Sequence, residues 1–242
     1  MINSHKLSID VDTVRAEILD PNRTVSVARN VVSTSTLHDY MADAIEQFET
    51  GIRTKIKPEI DAGPDRILPW VWDEERGTFS VHRLYRFLHN EAGTTHGAVH
   101  RSIMKARDRI ESVWPNQSLY ESKGLRNIHI IAKYEHNSRG YERHTDVPFE
   151  YPHPLLQCWL QLTEPGKDFD GGDLILYPPG GGSIAAVADL GIRAGDVLFF
   201  DKRTEHEVTP CGDAADGRGR WIAIVGALAP LQLASQSQAK AG

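Results

Sequence analysis

From Asn127 to Leu228 the chain repeats one kind of unit, a short β-prone run followed by a turn. The runs are Ile128–Tyr134, Leu155–Leu162, Leu174–Tyr177, Val197–Phe200 and Trp221–Leu228. Between them lie Gly171-Gly172, the stretch from Pro178 to Gly182, Gly195-Asp196, and the stretch from Gly212 to Gly219. Many short strands with Gly and Pro turns must bury their apolar faces against one another, which favours a sandwich or a jelly roll.

The first half reads differently. From about Thr34 to Asn116 the pattern is helical. Leu37, Met41, Ala44, Ile45, Phe48 and Ile52 recur at three- and four-residue spacing, which places them on one helix face. Thr36 and Asp39 suggest a capping box at its start. A second such stretch holds Val99, Ile103, Ala106, Ile110 and Val113, and His82 to Leu88 reads as a shorter helix. Gly63 to Gly77, with two prolines, Trp70 and Trp72, reads as a loop. His96 and His100, four apart, could pair on a helix face, but they have no third ligand and are expected at the surface. The turn at Lys202 and Arg203 is expected to be solvated. These elements predict a mainly β domain with α, a jelly-roll core supported by N-terminal helices. The whole of 1–242 is read as one domain, with a helical support at 30–120, a core at 125–228 and a flexible tail at 231–242.

Composition removes several function classes. Two cysteines, Cys158 and Cys211, are too few for a disulfide framework or a cysteine-based zinc site. A formal net charge of −6 leaves no overall basic footprint for nucleic acid. No apolar run approaches the ~18 residues that span a bilayer, and the first residues lack an apolar signal core. The expectation is a cytoplasmic protein with no membrane and no nucleic-acid partner; oligomeric state is open.

The chemistry centres on His144-Thr145-Asp146. With eleven histidines in the chain, chance alone supplies roughly one H-x-D triplet, so context must carry the specificity. In a strand, alternate side chains share a face, so an imidazole and a carboxylate two apart give two ligands on one side. A third from a distant strand completes the 2-His-1-carboxylate facial set that suits non-haem iron(II). The best third ligand is His206, which follows the apolar run Phe199-Phe200 and a short charged turn. Further on, Arg220 opens the very apolar run Trp221-Ile222-Ala223-Ile224-Val225. A guanidinium there wants an anion, either a ligand carboxylate or a protein one.

The residues from Tyr134 through Gly140-Tyr141-Glu142-Arg143-His144-Thr145-Asp146 resemble the iron-binding segment of prolyl-hydroxylase-type 2-oxoglutarate oxygenases. Tyr134 stands ten residues before His144, as is common in that family. Phe169-Asp170-Gly171-Gly172-Asp173-Leu174 resembles its F-x-G-G-x-L segment, and Gly195-Asp196-Val197-Leu198-Phe199-Phe200 its G-D-x-L-x-F strand. His206-Glu207-Val208-Thr209-Pro210 resembles its distal histidine segment, and Arg220 stands where the family keeps its 2-oxoglutarate arginine. The likeness covers about residues 125 to 228. One departure is the fourteen positions from His206 to Arg220, longer than usual; Gly212 to Gly217 reads as the insertion, and it makes Arg218 a rival anchor. Another is Leu155–Leu162, where some members carry a co-substrate tyrosine and this chain has none. Tyr134 and Tyr141 are the substitutes.

The resemblance implies a double-stranded β-helix holding iron(II) through His144, Asp146 and His206. 2-Oxoglutarate and dioxygen are the implied co-substrates, with ascorbate as a further expected stimulant. It implies an oxidoreductase, a dioxygenase that decarboxylates 2-oxoglutarate to succinate while oxidising a C–H bond. Related halogenases have a small residue in place of the carboxylate ligand, so Asp146 favours hydroxylation or another outcome of hydrogen abstraction. The expected substrate is a small molecule such as an amino acid or biosynthetic intermediate. The alternatives are a prolyl or other residue of a protein, and a metal-binding jelly roll without catalysis.

Overall fold

A computed structural model describes residues 9–50, 52–54, 70–76, 79–87, 95–111, 125–134, 139–146, 156–212 and 218–230. Val113, His136, His153, most of the 212–217 insertion and the 231–242 tail lie outside them.

The chain opens with helix α1 (Val11–Leu19) and strand β1 (Val25–Ala28), neither of which the apolar periodicity announces. Helix α2 (Thr34–Thr50) follows, then strands β2 (Ile52–Thr54), β3 (Trp70–Arg76) and β4 (Phe79–Phe87), and helix α3 (Thr95–Ile110). In the second half the described regular elements are all strands: β5 (Leu125–Tyr134), β6 (Tyr141–His144), β7 (Leu156–Gln161), β8 (Asp170–Gly171), β9 (Leu174–Tyr177), β10 (Ile184–Ala185), β11 (Val197–Asp201), β12 (Glu205–Val208), β13 (Cys211–Gly212) and β14 (Arg220–Pro230). All five expected runs are strands.

Two sheets form the jelly roll. The larger has the order β1-β11-β7-β14-β5-β4-β3-β2 and the smaller β10-β9-β12-β6. Strand alternation gives the larger sheet two apolar faces. Cys158, Leu160, Val197, Phe199, Trp221 and Ala223 join the helices in one cluster with Val14, Tyr40, Phe48 and Ile103. Trp159, Leu198, Phe200 and Ile222 face the other way and meet Leu174, Leu176 and Val208 of the smaller sheet. A strand buried on both faces reads as a continuous apolar run, which is why β7 and β11 were legible. Leu160 is fully buried on the helix side, and Leu160→Ala is expected to cost about 2–5 kcal/mol of stability, measured by denaturant unfolding.

The first half departs from the expected pattern. His82 to Leu88 is not a helix: residues up to Phe87 belong to β4, antiparallel to β5 with Val81 opposite Tyr134. Trp70 to Arg76 is a strand rather than loop. Phe79, Val81, Tyr85 and Phe87 alternate with period two, and aromatic and β-branched residues fit a pleated surface. α2 begins earlier than Thr36: Ser33 caps it, its Oγ accepting from the Thr36 N–H at 3.3 Å while its carbonyl accepts from Leu37 N–H at 2.8 Å. On this helix Ile45 is exposed, Ile52 has left for β2, and Tyr40 is buried instead.

His96 and His100 are buried rather than at the surface. His96 bonds the Tyr40 carbonyl through Nε2 at 2.8 Å and lies 2.8 Å from Asp43 through Nδ1, and His100 Nε2 meets Tyr40 Oη at 2.7 Å. They join α3 to α2 as polar core partners. Before β11, Asp196 accepts from the backbone N–H of Asn30 (2.8 Å) and of Arg193 (2.9 Å), which ties the turn to the segment after β1. Among the described residues no helix is long and apolar enough to cross a membrane.

Candidate metal centre

The smaller sheet brings His144 and His206 together. β12 runs antiparallel to β6 with His206 opposite His144, and their rings lie 4.4 Å apart. β6 ends at His144, so Asp146 is not its strand-mate. Asp146 is held two residues beyond by its own N–H, which donates to the Lys202 carbonyl at 3.3 Å. This turns its carboxylate back: Oδ1 lies 3.6 Å from His144 Nε2 and Oδ2 3.6 Å from His206 Nε2. The three residues offer ligand atoms all within 4.8 Å of one another.

Proton placement suits a cation. His144 Nδ1 lies 2.7 Å from the Glu142 carbonyl and His206 Nδ1 3.0 Å from the Thr204 carbonyl. A carbonyl can only accept, so each Nδ1 carries the proton and each Nε2 presents a lone pair to Asp146. His206 Nε2 is buried and has no hydrogen-bond partner. Burial pushes the His206 pKa down against the pull of Asp146, which favours the neutral ligand form. Burial also pushes Asp146 up, but nearby positive charge, that of the buried Lys202 included, prevails and holds it at about 2. The carboxylate is ionised at neutral pH. A buried lone pair without a donor, beside an ionised carboxylate and a second imidazole, fits a divalent metal of iron(II) type.

Residues behind the ligands orient them. Gln157 Nε2 donates to Asp146 Oδ2 at 2.7 Å. Outer partners of this kind set metal affinity, so Gln157→Leu is expected to weaken iron(II) binding about 10- to 100-fold, read by anaerobic titration. Lys202 is buried rather than solvated; burial lowers its pKa while Asp146 opposes this. Arg143 turns away from the metal, pairing with Glu205 and stacking 3.7 Å over the Tyr177 ring.

The two candidate anchors separate clearly. Arg218 has a side chain 65% exposed and sits 3.7 Å from Asp168. Arg220 is 3% exposed, and its Nε and Nη1 have no hydrogen-bond partner. It lies opposite Tyr134 in the β14–β5 pair, with its Cζ 4.7 Å from the Tyr134 ring. Tyr141 sits elsewhere, its ring 4.5 Å from that of His144. Gly172 makes room for Arg220: a Cβ there would fall 2.5 Å from Cys211 Sγ and 2.9 Å from Arg220 Cδ, and its φ of +58° is left-handed. A buried guanidinium with free donors fits an anionic co-substrate.

Trp159 was missed by sequence reasoning. It faces the space between the sheets, with its ring 5.8 Å from Arg220 Cζ and 5.9 Å from the His206 ring. The signal was its alternation with Cys158 and Leu160 in the strand where the tyrosine was sought.

Residues 129–225 match the family model of the 2OG-Fe(II) oxygenase superfamily. No protein of curated function matches the chain in sequence. Among solved structures, the fold is similar to a Pseudomonas putida prolyl-4-hydroxylase at 16% identity, covering 88% of this chain and 96% of that one with a TM-score of 0.59. It is also similar to a Trichoplax adhaerens prolyl hydroxylase solved with a hypoxia inducible factor peptide fragment, at 16% identity, 96% and 92% coverage and a TM-score of 0.57. A third is the α-ketoglutarate-dependent carbocyclase SnoK of nogalamycin biosynthesis, at 14% identity, 99% and 92% coverage and a TM-score of 0.56. The matched segment contains both histidines, Asp146 and Arg220, and through it this part of the chain is similar to the 2OG-Fe(II) oxygenase superfamily, whose members use iron(II), 2-oxoglutarate and dioxygen.

Proposed function

We propose that His144, Asp146 and His206 hold the iron, that Arg220 takes the far carboxylate of 2-oxoglutarate with Tyr134 beside it, and that the enzyme oxidises an unactivated C–H bond of a small molecule. The observation that carries the ligand set is the convergence of the three ligand atoms within 4.8 Å. Iron held there would activate dioxygen, the oxidant: one oxygen atom would go to 2-oxoglutarate, which leaves as succinate and carbon dioxide, and the other to the substrate. The chain's own residues orient and exclude: Gln157 and the two backbone carbonyls fix the ligands, and the apolar walls of Leu174, Leu176 and Phe200 keep water from the site.

Support for a small substrate comes from the first half of the chain. β4, β3 and β2 extend the larger sheet beyond β5, beside the Tyr134–Arg220 row, which favours an enclosed pocket over an open groove. The carbocyclase likeness over nearly the whole chain agrees with this. A prolyl residue of a protein is the second reading, favoured by the two prolyl hydroxylase likenesses. The test has two stages. Anaerobic titration with iron(II) and 2-oxoglutarate should produce the visible charge-transfer band of the chelate; iron binding without a band would defeat the co-substrate assignment. Succinate release is then followed with amino acids and biosynthetic intermediates against proline-containing peptides. Stimulation by peptides alone would replace the small-molecule reading with the second one.

A further inference from the structure

Beside Arg220 lies a second buried donor with nothing to donate to. Trp159 Nε1 is buried and makes no hydrogen bond, as are Arg220 Nε and Nη1. An indole N–H can only donate, and a guanidinium can only donate. The two side chains are neighbours, 5.8 Å from Arg220 Cζ to the indole centroid. The Cys211 thiol lies beside Arg220 below Gly172, but burial pushes its pKa up despite the pull of Arg220, so it stays neutral. Among the described residues no carboxylate forms an ion pair with Arg220. Three orphaned donors around one buried positive charge describe a socket for an acceptor-only anion, which a carboxylate is. The same indole lies edge-on to the His206 ring at 5.9 Å, so one rigid side chain reaches from the socket to the metal ligands.

We propose that Trp159 is a co-substrate-binding residue. Its Nε1–H donates to the far carboxylate of 2-oxoglutarate beside Arg220, and its ring forms the floor along which the rest of the molecule lies towards the metal. This rests on the assignment of Arg220 as anchor. It replaces the tyrosine sought in β7 with an indole, so the socket presents a donor and no hydroxyl acceptor. It also gives Trp159 a part in co-substrate choice that packing alone would not.

The experiment uses the full chain loaded with manganese(II), with binding followed by calorimetry and tryptophan fluorescence. Two ligands are compared: 2-oxoglutarate, and oxalate, which chelates a metal similarly but lacks the far carboxylate. Trp159→Phe is expected to weaken 2-oxoglutarate about 10-fold or more, as befits a hydrogen bond to a charged group, and to leave oxalate unchanged. Unchanged oxalate binding also shows that the variant has folded around an intact metal site. Trp159→Tyr, which returns a hydroxyl donor, should recover part of the loss. Equal weakening of both ligands, or no weakening of either, overturns the proposal. If Arg220→Met loses 2-oxoglutarate selectively while Trp159→Phe does not, this inference fails and the anchor stands. If the wild type binds oxalate but not 2-oxoglutarate, both fail together.

Discussion

His206→Ala is expected to abolish 2-oxoglutarate turnover and to weaken iron(II) binding by more than about 100-fold, beyond the range typical of outer-shell changes. Of the three proposed ligands, His206 has the least freedom. Its Nδ1 is committed to the Thr204 carbonyl, its Nε2 is buried without a partner, and Trp159 and Phe200 meet its ring edge to face. The imidazole therefore cannot turn away from the proposed metal position, and among the described residues no further histidine lies in the cluster. Dialysis against iron(II) followed by metal analysis reads the affinity. Circular dichroism confirms that β12 still pairs with β6 and β9. Removing the ring deletes a buried polar atom that the metal-free protein leaves unpaired, so the metal-free variant should lose little stability while losing its metal. His144→Ala should behave similarly but less severely, because His144 is only half-buried and water can reach its position. Iron retained by His206→Ala at wild-type affinity would show that the ligand set is wrong.

The strands at the centre of the larger sheet were legible because their burial is uniform. In Val197–Asp201 and Leu156–Gln161 every residue is buried, so apolar composition alone marks them. The convergence of His144, Asp146 and His206 and the burial of Arg220 could be anticipated from the order of their motifs, whose glycines make room, as Gly172 does beside Arg220. What stayed hidden depended on contacts between distant segments. Phe79–Phe87 carries Arg83 and Arg86 among its apolar positions, which blurs period two towards the helical spacing read there. The edge strand Val25–Ala28 is only four residues long, and its pairing with β11 decides its state. His96 and His100 read as surface residues because nothing local reveals that Tyr40, 56 and 60 positions away, will bond them. Lys202 followed the charges of its turn, whereas its backbone is recruited to hold Asp146. Asp146 itself was placed on the right side for an incomplete reason: strand alternation ends at His144, and the Lys202 carbonyl does the rest.

Arg220→Met is expected to weaken 2-oxoglutarate binding roughly 30-fold to several thousand-fold, the range for breaking a buried charge-assisted pair worth about 2–5 kcal/mol. The same variant should make the ligand-free protein more stable. Arg220 is a buried cation with two unpartnered nitrogens, and the rings of Tyr134 and Trp159 lie against its guanidinium. Cation–π contact returns ~0.5–2 kcal/mol, less than burying an unpaired charge costs. Methionine keeps the length and the apolar stem beneath Gly172 while removing the charge, so the melting temperature in the absence of ligand should rise by a few degrees. Adding 2-oxoglutarate should then raise the melting temperature of the wild type, because the ligand binds only the folded state, and leave Arg220→Met unmoved. The two curves should approach or cross as ligand is added. That opposition separates an anchor from a structural arginine: a residue kept for packing would lose stability on substitution with or without 2-oxoglutarate. A variant that is less stable than wild type without ligand, yet still stabilised by 2-oxoglutarate to the same extent, would remove Arg220 from the site. Arg218→Met is the control on the exposed neighbour and should shift neither curve, since its carboxylate partner Asp168 also accepts the Glu164 N–H and the turn is held without it.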